Sequence, residues 1–297
     1  MMNTLERDSI ALGLLAIKPR TSPYPLIRVG GDTDGAYLCP DDLQGIDYCI
    51  SPGVFRYKRF EDQLLLEHGI KSILIDPSID LGDLETPLMP GQTFLKKWLG
   101  PVSTADAVTL ESIVRDHCGA AKGDLILQMD IEGSEYQCLS TCPEQIINRF
   151  RIIVIELHTL RDVIRPWRGY GRLILRSLNR LAQTHVCVHL HPNNWQPAIQ
   201  VPGTSIQVPG IVECTFLRRD RFAPAAAASE RLSDKSFVPL PHPLDIVNVP
   251  DKPPLEMGPS WNRTDLEFLS ELRSTRARRV LSIFLNELRS IVPRPNP

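Results

Sequence analysis

Residues 124–135, DLILQMDIEGSE, constrain the fold of this chain more than any other stretch. Leu125, Ile126, Leu127 and Met129 form a continuous apolar run of the kind a parallel strand needs when it is buried on both faces. Asp130, Glu132, Gly133 and Glu135 follow at its carboxyl end, where an open α/β sheet binds its ligands. Helix capping accounts for part of the pattern, because Asp and Ser ahead of Glu135 favour a helix start and Gly133 eases the turn into it. Residues 135–139 do read as helical. Capping leaves Asp130 and Glu132 without a role, and a functional strand end supplies one.

A βαβ unit precedes this strand. Residues 48–50 read as a strand, 51–54 (SPGV) as a tight turn, 60–68 as an amphipathic helix and 72–76 (SILID) as a second buried strand. An acid at the end of the second strand, Asp76, is placed to accept both hydroxyls of a ribose, and the first turn lets backbone approach a nucleoside. The turn is a poor phosphate cradle. A dinucleotide site needs three glycines at G-x-G-x-x-G spacing, and only Gly53 is present.

The remaining elements flank this unit. Residues 1–20 read as an amphipathic helix, with Leu5, Ile10, Leu14 and Ile17 near helical spacing. Residues 26–42 (LIRVGGDTDGAYLCPDD) read as a β-hairpin, from which Arg28, Asp34 and Tyr37 could reach a ligand. Residues 93–99 read as one helical turn or a short strand, 104–118 as a helix, and 151–156 (RIIVIE) as a strand that finishes with Glu156 and His158. Residues 171–184 form a helix with Leu173, Leu175, Leu178 and Leu181 on its buried face and Arg172, Arg176 and Arg180 on a solvated one. Residues 186–190 and 211–218 close the sheet. The short return between them, without a helix, predicts an antiparallel final strand. Taken together this is an α/β, Rossmann-like, mostly parallel sheet with a terminal antiparallel strand, the layout of class I methyltransferases.

Composition narrows the partners. A formal net charge of −2 with 23% charged residues gives no electrostatic case for nucleic acid or an anionic membrane as the main partner. The apolar run 10–17 is too short to span a bilayer and leads to no cleavage site. Seven scattered Cys without metal-type spacing predict reduced thiols and a cytoplasmic location, and Cys138 and Cys142, four apart, read as buried thiols. The 26 Pro concentrate after Phe222. Residues 223–228 read as a linker, 238–259 as a Pro-rich extended strap, and 264–267 (TDLE) as a capping box opening a final helix to about residue 292. Leu269, Leu272, Leu281, Phe284, Leu288 and Ile291 line one face of that helix, which packs on the core or pairs two subunits as a homodimer. The chain thus divides into a helical arm (1–22), a main domain (23–222), and a linker, strap and helix (223–297).

Between about residues 28 and 218 the chain resembles the FkbM-type and methyltransferase-like enzymes that use S-adenosylmethionine. RVGGDTDGAYLCPDD, SPGV with Phe60-Glu61, MDIEGSE, and the closing VHLHPNN with VECTFLRRD carry the resemblance. MDIEGSE is the most specific, since such enzymes show an Asp-x-Glu-Gly-x-Glu run after the central strand. Ala36 stands where the family has a second Gly, and Pro52 where it has an aromatic. The resemblance implies that Ser51 and Gly53 admit the methionine part of the cofactor, that Asp76 holds the ribose, and that Asp130 lies near the sulfonium. The cofactor-facing set is completed by Asp34 and Tyr37.

Methyl transfer to a hydroxyl needs alignment and a group that takes the hydroxyl proton. His158 is the first candidate base and His191 the second, with Asp130 beside them. Asp130 and Glu156, at adjacent strand ends, are hard oxygen ligands suited to a magnesium-like ion (Mg2+). Asn193, Asn194 and Arg28 are candidates for orienting a hydroxylated substrate, although Asn-Asn after Pro is equally a turn. The expected activity is O-methylation of a small polar acceptor of sugar or natural-product type. Two rivals stand beside it: a non-catalytic S-adenosylmethionine-binding module of the same fold, and a nicotinamide-dependent oxidoreductase, which the missing G-x-G-x-x-G disfavours.

Overall fold

A computed structural model of the chain describes residues 4–33, 35–119, 121–165, 168–201, 203–222 and 238–273. Asp34, the 223–228 linker, and Leu281, Phe284, Leu288 and Ile291 of the final helix lie outside the described residues. In order the elements are α1 (Thr4–Ala16), β1 (Leu26–Val29), β2 (Tyr37–Pro40), β3 (Ile46–Pro52), α2 (Arg59–His68), β4 (Lys71–Ile75), β5 (Gln92–Leu95), β6 (Trp98–Leu99), β7 (Ala107–Val108), α3 (Leu110–His117), β8 (Asp124–Met129), α4 (Glu135–Thr141), α5 (Glu144–Ile147), β9 (Phe150–Leu157), α6 (Gly169–Thr184), β10 (His185–Pro192), β11 (Ile199–Gln200), β12 (Gln207–Val208), β13 (Val212–Arg218) and α7 (Asp265–Arg273).

Seven strands form one sheet in the order β10-β13-β9-β8-β3-β4-β5. The five from β5 to β9 run parallel. Last in the chain, β13 is antiparallel to both β9 and β10 and lies between them rather than at the edge. Both faces are covered. Leu125, Leu127, Ile153 and Ile155 pack with α1 and α6 on one side, and Ile126, Ile152 and Val154 pack with the β1–β2 hairpin and α2 on the other. The two-residue alternation between those sets is why the strands read as unbroken apolar runs. Helix α1 comes close to α6 at Gly13, where an added Cβ would sit 2.4 Å from a methyl of Leu175.

Some boundaries differ from the sequence expectation. Residues 92–95 are a true edge strand, paired in parallel with β4. Helix α3 starts later than periodicity predicts, because Thr109 and Ser112 form a reciprocal capping box that leaves residues 107–108 free to pair with β6. Arg180 is not on a solvated face: its guanidinium donates to the carbonyls of Ser140 and Cys142, which end α4.

All seven Cys are buried and free of disulfides, and burial pushes the thiols of Cys138 and Cys142 up to about 12. Thr264 and Glu267 form the expected capping box, with Thr264 N donating to Glu267 Oε2 at 2.9 Å and Glu267 N to Thr264 Oγ1 at 3.2 Å. The described turns of α7 bury Phe268 and Leu272 in the core, and Lys18 and Arg20 pair with the buried Asp265. No helix among the described residues is long and apolar enough to cross a membrane.

Candidate functional site

The carboxyl ends of β3, β4, β8 and β9 meet at one edge of the sheet, and the backbone laces three of them together. Gly53 N donates to Ile75 O at 2.8 Å, and Asp130 N donates to Pro52 O at 3.1 Å. Gly53 adopts φ +89°, and a Cβ there would lie 1.5 Å from Asp130 O. Only glycine permits this approach of β3 to β8.

Asp76 follows β4 and is held in a fixed orientation. Its Oδ2 accepts from Phe55 N at 2.7 Å, and its Oδ1 from Ser78 N at 2.8 Å and Ser78 Oγ at 2.6 Å. It lines a cavity of about 640 Å³ together with Gly53, Tyr37, Trp98, Gln128 and Asp130. The described wall carries the carboxyls of Glu61, Asp76, Asp130 and Glu132 and contains no Lys or Arg. Ser51 stands behind the wall, fully buried, its Oγ within hydrogen-bond reach of the Glu61 carboxyl and, at 2.7 Å, of Gln128 Oε1. Burial pushes the Glu61 carboxyl up to about 7, against the opposing hydrogen bond from Ser51.

One end of this cavity is the Asp130 carboxyl, which belongs to a second group. Ligand atoms of Asp130, Glu156 and His158 all lie within 4.8 Å of one another. His158 Nε2 stands 3.8 Å from Asp130 Oδ1 and 3.9 Å from Glu156 Oε2, and its Nδ1 is 2.9 Å from Oε1 of the buried Glu135. Asn193 Nδ2 donates to Glu156 Oε1 at 2.6 Å. Asp130 is a quarter exposed as a side chain, yet its Oδ1 is buried without a hydrogen-bond partner.

The electrostatics follow from this crowding. Burial, then the charge and hydrogen bond of Glu156, hold the Asp130 carboxyl far above the usual carboxylate range. At His158 burial lowers the imidazole pKa, but its hydrogen bond to Glu135 and the surrounding carboxylates outweigh it and leave it raised. Two carboxyls and an imidazole nitrogen, turned toward one another, could hold a divalent cation.

Of the other sequence candidates, Tyr37 alone among the described residues shares this cavity, its hydroxyl 3.4 Å from Gln128 Nε2. Arg28 bonds Gly31 O at 2.8 Å and Leu244 O at 3.5 Å and lines neither described cavity. Asn194 fastens the strap: its Nδ2 faces the carbonyls of Val249, Lys252 and Pro253, and its Oδ1 accepts from Val249 N. His191 lies beyond Glu213 on β10, with Nε2 3.1 Å from Asn248 Oδ1 and Nδ1 3.4 Å from Asp245 Oδ2. The positioning role of Glu135 and the buried place of Glu61 were missed from sequence. The spacing of MDIEGSE to IELH contains both Glu135 and His158, but nothing local to either residue says that they touch.

Residues 70–178 match the model described as the methyltransferase FkbM domain, which bears out the resemblance drawn from the motifs over a shorter span. No curated protein matches the chain in sequence. Among solved structures, a mutant of the 16S rRNA (adenine(1408)-N(1))-methyltransferase from Catenulisporales acidiphilia matches at 12% identity, covering 65% of this chain and 98% of that one with a TM-score of 0.30.

Proposed function

We propose, from the match of residues 70–178 to the FkbM methyltransferase domain, that the chain is a cytoplasmic S-adenosylmethionine-dependent O-methyltransferase (EC 2.1.1 class) acting on a hydroxyl of a small acceptor of sugar or natural-product type. One observation carries the reading: the cavity at the strand ends has a fixed acid, Asp76, on its wall and the Asp130–Glu156–His158 group at its edge. The wall suits a cationic nucleoside. Its carboxyls and lack of Lys or Arg favour a sulfonium and disfavour a pyrophosphate.

In this reading Asp76 holds the ribose hydroxyls, the Gly53 turn admits the methionine portion, and Asp130 faces the positive sulfur. The bound cofactor supplies an electrophilic methyl group. The acceptor hydroxyl is oriented at the Asp130–Glu156–His158 group, where Glu156 or the neutral His158 imidazole, at Nε2, takes its proton. The same three side chains would hold a magnesium-like cation, whose Lewis acidity lowers the pKa of a coordinated hydroxyl.

Calorimetric titration with S-adenosylhomocysteine tests the reading. Saturable binding that is lost in Asp76→Ala is expected, and no binding by the intact chain would overturn it. Binding without methyl transfer to any hydroxylated acceptor, with or without magnesium, would favour a non-catalytic module.

A further inference from the structure

The strap after residue 238 folds over the end of β10 and encloses a second cavity of about 580 Å³, a size that suits a small organic molecule. His191, Pro192 and Asn194 form its floor, and residues 240–242 and 254–259 much of its wall. The wall is fixed in place. Asn194 ties down Val249, Lys252 and Pro253, His189 Nε2 bonds Asp245 Oδ1 at 2.8 Å, and Trp261 Nε1 donates to Gln207 O at 2.8 Å.

Two features say what the cavity would take. Its surface is mainly the apolar body of Leu240, Pro241, Val247, Leu255 and Met257. Its acidic groups are Asp245, already committed to the imidazoles, and the exposed Glu256; no Lys or Arg is among its described lining residues. A phosphate or carboxylate there would face Glu256, with only the imidazoles of His191, already beside Asp245, and His242 to offset its charge.

A row of polar side chains runs from this cavity toward the Asp130–Glu156–His158 group. His191, Glu213 and Glu156 are directly opposite one another on β10, β13 and β9, so their side chains share one face of the sheet. Asn248 of the strap bridges the first two, donating to Glu213 and facing His191, while Asn193 donates to Glu156. The row spans two inter-strand spacings, roughly 10 Å.

We infer that the strap cavity is the acceptor's binding pocket and takes an apolar-bodied, neutral or cationic hydroxyl compound, excluding phosphorylated and carboxylated ones. The inference rests on the methyltransferase reading and names the acceptor class for it. Three matched probes test it by calorimetry in the presence of S-adenosylhomocysteine: tyramine (cationic), 4-hydroxyphenethyl alcohol (neutral) and 4-hydroxyphenylacetate (anionic).

The first two are expected to bind together with S-adenosylhomocysteine, and at least about tenfold more tightly than the third. Glu256→Lys should reverse the order of the charged pair, and Met257→Trp or Leu255→Trp should abolish tyramine binding while S-adenosylhomocysteine still binds. That retained binding shows that the variants fold. Failure of tyramine to bind, equal binding of the anionic probe, competition with S-adenosylhomocysteine, or indifference to both cavity-filling variants would each overturn the assignment. Tyramine binding by a chain that ignores S-adenosylhomocysteine would instead sink the methyltransferase reading and leave the cavity as a site of another kind.

Discussion

Nδ1 of His158 lies 2.9 Å from Oε1 of Glu135, a carboxylate with no solvent exposure in the first turn of α4. The same oxygen accepts from Ile131 N at 3.3 Å and Gly133 N at 3.0 Å. Glu135 therefore fixes both the loop that carries Asp130 and the ring that faces it. With the Nδ1 proton directed to Glu135, Nε2 is turned toward Glu132 Oε2 at 3.3 Å and, farther off, toward Asp130 and Glu156. A carboxylate behind a ligating imidazole raises its basicity and sets its orientation.

Glu135→Gln keeps the volume and removes the charge. Divalent-cation affinity should fall by about 10- to 100-fold, with S-adenosylhomocysteine binding unchanged. Manganese titration followed by electron paramagnetic resonance reads this directly. Unchanged manganese affinity would show that Glu135 serves the loop alone.

Gly53→Ala places a methyl 1.5 Å from the backbone oxygen of Asp130, at a φ of +89° that side chains rarely adopt. The obstacle is main chain inside the sheet, so no rotamer change relieves it. Strain and overpacking together should cost roughly 4 kcal/mol, seen as a lowered urea midpoint. A loss below about 1 kcal/mol would mean that β3 and β8 separate easily at this end.

What the sequence made legible follows from this edge of the sheet. The apolar runs of β8 and β9 and the acids after β4 and β8 are local signals, so the parallel sheet, Asp76 and Asp130 could be read without a structure. The antiparallel last strand was legible too, from the helix-free return between β10 and β13. Its position between β9 and β10 was not, because register across strands leaves no mark within either one. Glu135 looked like part of a helix start, while its partner His158 is 23 residues away. Asn194 looked like a turn or a substrate contact, while its partners lie at residues 249–253, in a segment whose prolines give no periodicity to read.

Glu61 gives a pH signature. Burial pushes its carboxyl from 4.5 up to about 7, so the folded chain keeps a proton that the unfolded chain releases. Stability must then fall as pH rises from about 4.5 to about 7, with the loss complete above the folded value. A rise of this size corresponds to roughly 3 kcal/mol. Glu61→Gln has no proton to lose, and relative to the parent it should gain stability on going from pH 5 to pH 8. Urea denaturation at both pH values measures the difference, and parallel stability–pH curves for the two proteins would refute it.

Asn194 separates loss of hydrogen bonds from reversal of polarity. Its amide nitrogen faces three strap carbonyls, those of Val249, Lys252 and Pro253, at 3.0 to 3.2 Å, while its oxygen accepts from Val249 N at 2.8 Å. Asn194→Ala removes these bonds and should cost about 2 kcal/mol of local stability. Asn194→Asp keeps the shape and the bond from Val249 but turns a carboxylate oxygen onto three carbonyls. Repulsion and desolvation should make it the worse substitution despite its closer resemblance. Amide hydrogen exchange in the strap reads the order: faster exchange in Asn194→Asp than in Asn194→Ala, and faster in both than in the parent, with the central strands unchanged. The opposite order would mean that water enters to solvate the carboxylate, and that the strap is held mainly by His189, His191 and Asp245.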